Sequence, residues 1–304
     1  MIPKISVAII TYNQEHLIGR ALDSVLKQKE YIYEIIISDD CSTDNNWQVI
    51  MDYYYRYSDL IKPFRQEINL GINRNQEFIW TKPCGNIVIQ LSGDDELCEG
   101  VLKAAIDKVN AENIDVLNDN FVIYTDYETI LPDGSRKRIS NYLIEKNYNP
   151  ISLKIRNLIC NRTTLVSISV YKKFHLSRPD LGIFSDGLID IQTQIYANKN
   201  YYIPIIGSIY YAGIGVSANY DRQDYYTTRI EANNEMEKTL NLDGKDKNYI
   251  KYLNHYLMFC MNPSMGRFFK TWKYHLKSIY IKEELNLLRL FRRLISMLIR
   301  FIKN

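Results

Sequence analysis

Along the first 110 residues, short β-branched apolar runs alternate with stretches whose apolar residues recur at helical spacing. Residues 4–10 (KISVAII) form the first run, after which Ile18, Ala21, Leu22 and Val25 mark one face of a helix over 15–28. Residues 34–38 (EIIIS) form the second run, followed by a helix with Trp47, Ile50, Met51 and Tyr54 on one face. A weaker run near 64–68, a helix over 75–81, a fourth run at 87–91 and a helix over 97–109 complete the series. Strand–helix–strand repetition predicts an α/β domain with a doubly wound, Rossmann-like, mostly parallel sheet flanked by helices. The runs are apolar throughout rather than alternating, as strands covered on both faces are.

After residue 114 the rhythm changes. Residues 115–125 and 129–139 read as strands joined around the turn signal Pro132-Asp133-Gly134. Residues 141–162 fit neither period, 163–171 are β-branched and read as sheet, 186–197 as a helix and 201–211 as a last strand. From 220 onward the chain reads as helical, which places a domain at 1–217 and a helical, basic C-terminal extension at 218–304.

Charge separates the same two regions. Residues 250–304 hold 11 Lys/Arg against 2 Asp/Glu, leaving 27 basic and 33 acidic residues in the rest of a chain with 38 and 35 in all. An acidic body with a basic tail suggests a tail that meets an anionic surface. Five cysteines without CxxC spacing read as reduced thiols, and four scattered histidines argue against zinc. The start of the chain lacks the features of a signal peptide, and no window approaches a membrane span, so a cytoplasmic location is expected.

Three strands end in oxygen-bearing side chains: Thr11-Tyr12-Asn13, Asp39-Asp40, and Ser92-Gly93-Asp94-Asp95. The carboxyl ends of parallel strands converge on one crevice, where such sheets bind ligands. Each motif has a plainer use as a turn or helix cap: Ser42 or Asp44 could cap the helix after the second strand, and Asp94-Asp95 the helix after the fourth. Together they suit a nucleotide. Asp40 can accept from a nucleobase imide, Tyr12 can pack on the base, Asp94 and Asp95 can hold a divalent cation bridging two phosphates, and Gly93 permits close backbone approach. No GxGxxG follows the first strand and no GxxxxGK[ST] occurs, which argues against a dinucleotide fold and a P-loop. A nucleotidyltransferase would want a Gly-rich basic loop after the first strand, which Thr11-Tyr12-Asn13 does not supply.

The ordered motifs SVAIITYN (6–13), EIIISDDCSTD (34–44), NLGINRN (69–75) and LSGDD (91–95) resemble those of the family 2 glycosyltransferases of GT-A fold. The resemblance is strong over 1–110 and weaker to about 217. It implies an inverting transfer of a hexosyl unit from a nucleotide-diphospho-sugar, a UDP-sugar by preference, with Mn²⁺ or Mg²⁺. Carried over, Thr11, Tyr12 and Asp40 match nucleoside-contacting positions, Asn75 falls near the nucleotide, and Asp94 matches the metal-binding aspartate of the DxD-type motif. Ser92 stands where the first aspartate of that motif is usual; it could still bond a ribose hydroxyl, with weaker hold on the metal.

Such a transfer needs a base to deprotonate the acceptor hydroxyl. The segment FSDGLID (184–190) resembles the one that supplies it, which nominates Asp186, then Asp190, with Asp180 a distant third; Asp186 also suits an N-cap. Gly213-Ile214-Gly215-Val216-Ser217 resembles a loop that closes over the diphosphate. Tyr210-Tyr211-Ala212 stands where many relatives carry Arg and His, so no cation for the leaving group is visible beyond the metal.

The tail 285–302 places Leu287, Leu288, Phe291, Leu294, Ile295, Leu298 and Ile302 on one helical face and Arg289, Arg292, Arg293 and Arg300 on the other. Upstream, Phe268, Phe269 and Trp272 mix with Lys270, Lys273 and Lys277. This suits a helix in an anionic membrane interface, the alternative being a helix packed on protein; no motif supports nucleic acid. The expected enzyme acts at the inner membrane face on a lipid-linked glycan of surface-polysaccharide assembly. The alternative is a nucleotide-sugar-binding partner that has lost transfer activity.

Overall fold

The computed structural model describes residues 3–146, 148–160, 162–176, 178–214, 222–278 and 297. The chain divides into two compact units, Met1–Asn219 and Tyr220–Asn304.

In the first unit, β1 (Ile5–Thr11) lies between β2 (Ile32–Asp39) and β4 (Ile87–Ser92), parallel to both, and β3 (Ile61–Arg65) extends the parallel half beyond β2. Side chains alternate across β1. Ile5, Val7 and Ile9 join Ile35 and Ile37 under α1 (Ile18–Leu26), α2 (Asn46–Arg56) and α4 (Val101–Ala111). Ala8 and Ile10 join Ile36 and Val88 on the other face, under α3 (Ile72–Trp80) and Tyr171. Both faces of the sheet are therefore dry, which explains the uninterrupted apolar runs. Each such side chain contributes about 1.5–3 kcal/mol by leaving water.

Past β4 the sheet turns antiparallel. β8 (Thr164–Ser167) pairs with β4 and with β6 (Phe121–Ile130), and β6 pairs in parallel with the long β9 (Lys199–Tyr211). β7 (Arg136–Ile139) forms a hairpin with β6, its turn carrying Gly134 at φ 79°. The two-residue strand β5 (Glu96–Leu97) pairs with β9. This pairing delays α4 beyond the expected 97, because Glu96 and Leu97 are held in a ladder before the helix starts. Residues 115–119 form a side-chain-bonded turn about Asp115 rather than the start of a strand. The β-branched stretch at 163–171 splits into β8 and a one-turn helix, α6 (Ile168–Tyr171). The segment that fitted neither period contains α5 (Pro150–Ile155), capped by Asn149. α7 (Ser185–Tyr196) follows.

The second unit holds α8 (Arg222–Thr239), α9 (Gly244–Met261) and α10 (Met265–Ser278), with Phe259, Phe268 and Met297 sharing a core. On α10, Phe268 is buried, whereas Met265, Phe269 and Leu276 are exposed beside Lys270, Lys273 and Lys277. The amphipathic tail at 285–302 lies outside the described residues except Met297, as do residues 215–217 of the loop. No helix among the described residues is long and apolar enough to cross a membrane.

Candidate active site

The ends of β1 and β2 are bound to each other. The Asn13 amide N–H donates to Ser42 Oγ at 2.9 Å, and the Thr43 N–H donates to Asn13 Oδ1 at 2.8 Å. Asp39 is fully buried and accepts from the Ser42 hydroxyl, from Asn46 Nδ2 at 2.7 Å and from the Ser42 N–H at 3.1 Å. Asp44 accepts from the Asn46 N–H at the start of α2 and from the Glu15 N–H. Much of the polar signature at these strand ends is thus scaffold. Thr11 belongs to it: its hydroxyl lies 2.8 Å from Gln14 Oε1 and 3.2 Å from Asn46 Oδ1. So does Asn75, whose amide exchanges bonds with the Ser38 hydroxyl and carbonyl and ties α3 to β2, away from the cavity.

Two residues of this edge retain other capacity. Tyr12 is 40% exposed. Asp40 is nearly buried, and its Oδ1 accepts the Leu70 N–H at 2.8 Å, which seats the Asn69-Leu70-Gly71 loop. Burial raises the Asp40 carboxyl above its ordinary pKa, opposed by the backbone N–H groups of Leu70 and Gly71.

The Ser92-Gly93-Asp94-Asp95 turn differs. A Cβ on Gly93 would lie 2.5 Å from Gln14 Oε1 and 2.8 Å from Thr11 Oγ1, so the close approach that glycine permits here is to β1 and its following loop. Asp94 receives a hydrogen bond from Gln14, and burial raises its pKa. The Asp95 carboxyl is pushed up to about 7 by burial and the neighbouring Asp94 charge, against the pull of Arg162, the Tyr211 N–H and Arg20. Its Oδ1 is buried without a hydrogen-bond partner.

Ser92 and Asp95 line a cavity of about 260 Å³ whose walls also carry Arg162, Asp186 and Asp190. Its apolar side includes Trp80 and Tyr171, whose indole N–H and hydroxyl both donate to Gln90 Oε1, at 3.1 and 3.0 Å. Asp186 is the second residue of α7; the cap position is Phe184, so Asp186 is not the N-cap. Its side chain is exposed and lines the cavity. Desolvation by the cavity wall, then the Asp190 charge, raise it to about 7, with Arg162, Lys154 and Gln76 pulling down. Asp190 is ion-paired to Lys154, itself 6% exposed. Asp180 is exposed, chelated by Arg178 and absent from the cavity wall.

The structure also reveals cations that the sequence reading did not find. Arg162 stacks 3.5 Å from the centroid of Tyr210, and Arg20 stacks 3.7 Å from that of Tyr211. Tyr210 and Tyr211 thus hold arginines brought from distant parts of the chain. A usable signal was the alternation of Cys160, Arg162, Thr164 and Val166, which all face the cavity at a strand's period of two.

The donor set fits a hard divalent cation only in part. Asp94 and Asp95 are adjacent and Asp95 Oδ1 is an unfilled oxygen, but among the described residues no cluster of three His, Cys, Asp or Glu could hold a metal. The pair matches a cation that completes its shell with water and substrate phosphate oxygens.

The model of glycosyl transferase family 2 matches residues 6–170, more than half of the chain. An uncharacterised Mycobacterium bovis protein is 36% identical over 91 residues, and the match spans only 26% of that protein's length. The GalNAc(5)-diNAcBac-PP-undecaprenol beta-1,3-glucosyltransferase of Campylobacter jejuni is 27% identical across 92% of this chain and 89% of its own. Among solved structures, Staphylococcus aureus TarS 1-349 superposes with TM-score 0.60 at 18% identity, covering 90% of this chain and 80% of that one. The mannosyltransferase PcManGT of Pyrobaculum calidifontis, in complex with GDP-Man and Mn²⁺, superposes with TM-score 0.59 at 11% identity, covering 99% and 86%. These likenesses establish the GT-A fold.

Proposed function

The chain belongs to glycosyl transferase family 2, and on that premise we propose that it transfers one hexosyl unit, with inversion, from a nucleotide-diphospho-sugar to a hydroxyl of a lipid-linked or oligosaccharide acceptor. One observation carries the reading: Asp95 and Asp186 line the same cavity, and Arg162 acts electrostatically on both. Asp186 takes the acceptor proton as its oxygen bonds to C1 of the donor sugar. A carboxyl with a pKa near 7 is matched to that task at neutral pH. Asp190 is the weaker choice of base, because Lys154 holds its carboxylate. Asp40 receives the nucleobase, uracil in the preferred reading, and Tyr12 packs against it. Ser92 faces the ribose and diphosphate side. A Mn²⁺ or Mg²⁺ ion, held by Asp94 and Asp95, would neutralise diphosphate charge there.

The transferase domain is assigned to 1–217 and the helical region to 218–304. The acceptor is read as a lipid-linked glycan, an assignment supported by the named activity of the Campylobacter relative and by the exposed face of α10. Phe269 and Leu276 beside three lysines suit an anionic lipid surface, with the protein peripheral to the inner face of the membrane. Flotation with vesicles should recover the protein with anionic but not neutral lipid; equal recovery removes the membrane assignment.

The function is tested by incubating the protein with UDP- and GDP-sugars, Mn²⁺ and lipid-linked glycans, and following nucleoside diphosphate release. Acceptor-dependent release is expected. Donor binding without release from any pair would instead favour the second reading, a nucleotide-sugar-binding partner without turnover, which Ser92 in place of an acidic residue motivates.

A further inference from the structure

Glycosyl transfer as proposed above leaves a charge to be placed. The acceptor oxygen forms a bond to C1 and gives its proton to Asp186, while the C1–O bond to the diphosphate breaks. The electron pair of that bond departs on the phosphate oxygen. The nucleoside diphosphate thus gains negative charge in a cavity already walled by Asp95, Asp186 and Asp190. Preorganised donors aimed at such developing charge are a large source of rate enhancement.

Among the described residues lining the cavity, Arg162 alone carries positive charge. Its guanidinium carbon lies 3.5 Å from the ring centroid of Tyr210 and 5.9 Å from that of Tyr127. Stacking fixes the plane of the group while leaving N–H donors along its edge, and a guanidinium has five. The nearest carboxylate oxygen, Asp95 Oδ2, is 3.8 Å away, beyond hydrogen-bond length. Asp95 does not lock the guanidinium in place. Arg20 occupies the opposite situation: its Nη2 donates to the Asp94 carbonyl at 2.6 Å and its Nε lies 3.2 Å from Glu96. Arg20 shapes the Asp94-Asp95 turn, and Arg162 faces the space beside it.

We propose that Arg162, held on the ring of Tyr210, binds the diphosphate of the donor and takes up the charge that forms on it as the bond to the sugar breaks. The proposal rests on the transferase reading and extends it by naming the leaving-group residue and its platform. The strand end that bears Tyr210 also carries Tyr211, whose backbone lowers the Asp95 pKa, so one segment of β9 borders both the carboxylate and the arginine.

The test is calorimetric titration of the full-length protein with UDP, GDP and the matching monophosphates in Mn²⁺, for wild type, R162M, R162K and Y210A. R162M is expected to bind the diphosphate at least about tenfold more weakly, the scale of one charge-assisted hydrogen bond. Its monophosphate affinity should match wild type, a split that general loosening of the fold would not produce. Donor turnover should fall about 10²–10³-fold in kcat. R162K should fall between, because lysine cannot present the stacked planar edge, and Y210A should weaken diphosphate binding through loss of the platform. If R162M does not fold, R162K carries the same comparison. Diphosphate affinity in R162M, or failing that R162K, equal to wild type overturns the proposal while leaving the transferase reading intact. If the wild type binds neither diphosphate, the transferase reading fails and this inference with it.

Discussion

Two Asp-Asp pairs end two parallel strands of one sheet, and they have opposite fates. At the end of β2, Asp39 is consumed by Ser42 and Asn46, and Asp40 spends an oxygen on the Leu70 loop. At the end of β4, Asp95 keeps a buried oxygen with no hydrogen-bond partner and faces a cavity with an arginine beside it. The same dipeptide at the same edge is a fastener in one case and in the other keeps a carboxylate oxygen without a hydrogen-bond partner. What separates them is the following sequence. Cys-Ser-Thr-Asp supplies hydroxyls and amides that fold back on the first pair, whereas Glu96-Leu97 enters a strand ladder and leaves the second pair without local partners.

The largest effect is expected at Asp186, the proposed base, which lines the same cavity as Asp95. D186N should reduce transfer about 10²–10⁴-fold while leaving nucleotide affinity near wild type. Transfer within threefold of wild type would remove Asp186 from the chemistry. In the wild type, activity should rise with pH through about 7, where Asp186 is half deprotonated, and level off above it, a limb that a pH–rate profile reads directly.

The fastener is tested by stability. D39A deletes a fully buried acceptor of three hydrogen bonds and should cost about 2–4 kcal/mol, read as a lower melting temperature or denaturation midpoint. Loss of activity without loss of stability would mean that Asp39 belongs with the ligand instead.

The third effect concerns the open pair. Folding raises the Asp95 pKa to about 7 from an unfolded value of about 3.9, so the folded state binds the proton more tightly. Asp95 therefore costs stability progressively as pH rises through that window. In metal-free buffer, D95N should melt above wild type at pH 8, with the difference vanishing near pH 4. An unchanged or lower melting temperature at pH 8 would show that Asp95 is satisfied in the free protein.

The parallel half of the fold was legible because its signals are local. Continuous apolar strands, amphipathic helices and oxygen-rich strand ends each announce themselves within about ten residues. The Asp94-Asp95 turn and Asp186 were also named from sequence, and the structure brings Asp95 and Asp186 to one cavity. What could not be read is pairing at a distance. Arg162 meets Tyr210, Arg20 meets Tyr211 and Lys154 meets Asp190 only after β8 and β9 join the sheet and α5 meets α7. Arg162 ends a segment without a dominant period, and its local mark was the two-residue alternation with Cys160, Thr164 and Val166. Asn75 and Thr11 show the converse: motif residues whose polar atoms turn inward once their neighbours are in place.

We propose that the β4 pair, and Asp95 in particular, is the position where a cation and a nucleoside diphosphate meet. It is tested most directly by titrating UDP and GDP into wild-type and D95N protein, each with Mn²⁺ and with a chelator. The account predicts that Mn²⁺ tightens nucleotide binding to the wild type by at least about tenfold, the lower end for loss of a charge-assisted contact, and that D95N shows no such gain. Binding indifferent to Mn²⁺ in the wild type, or an undiminished Mn²⁺ gain in D95N, would contradict it.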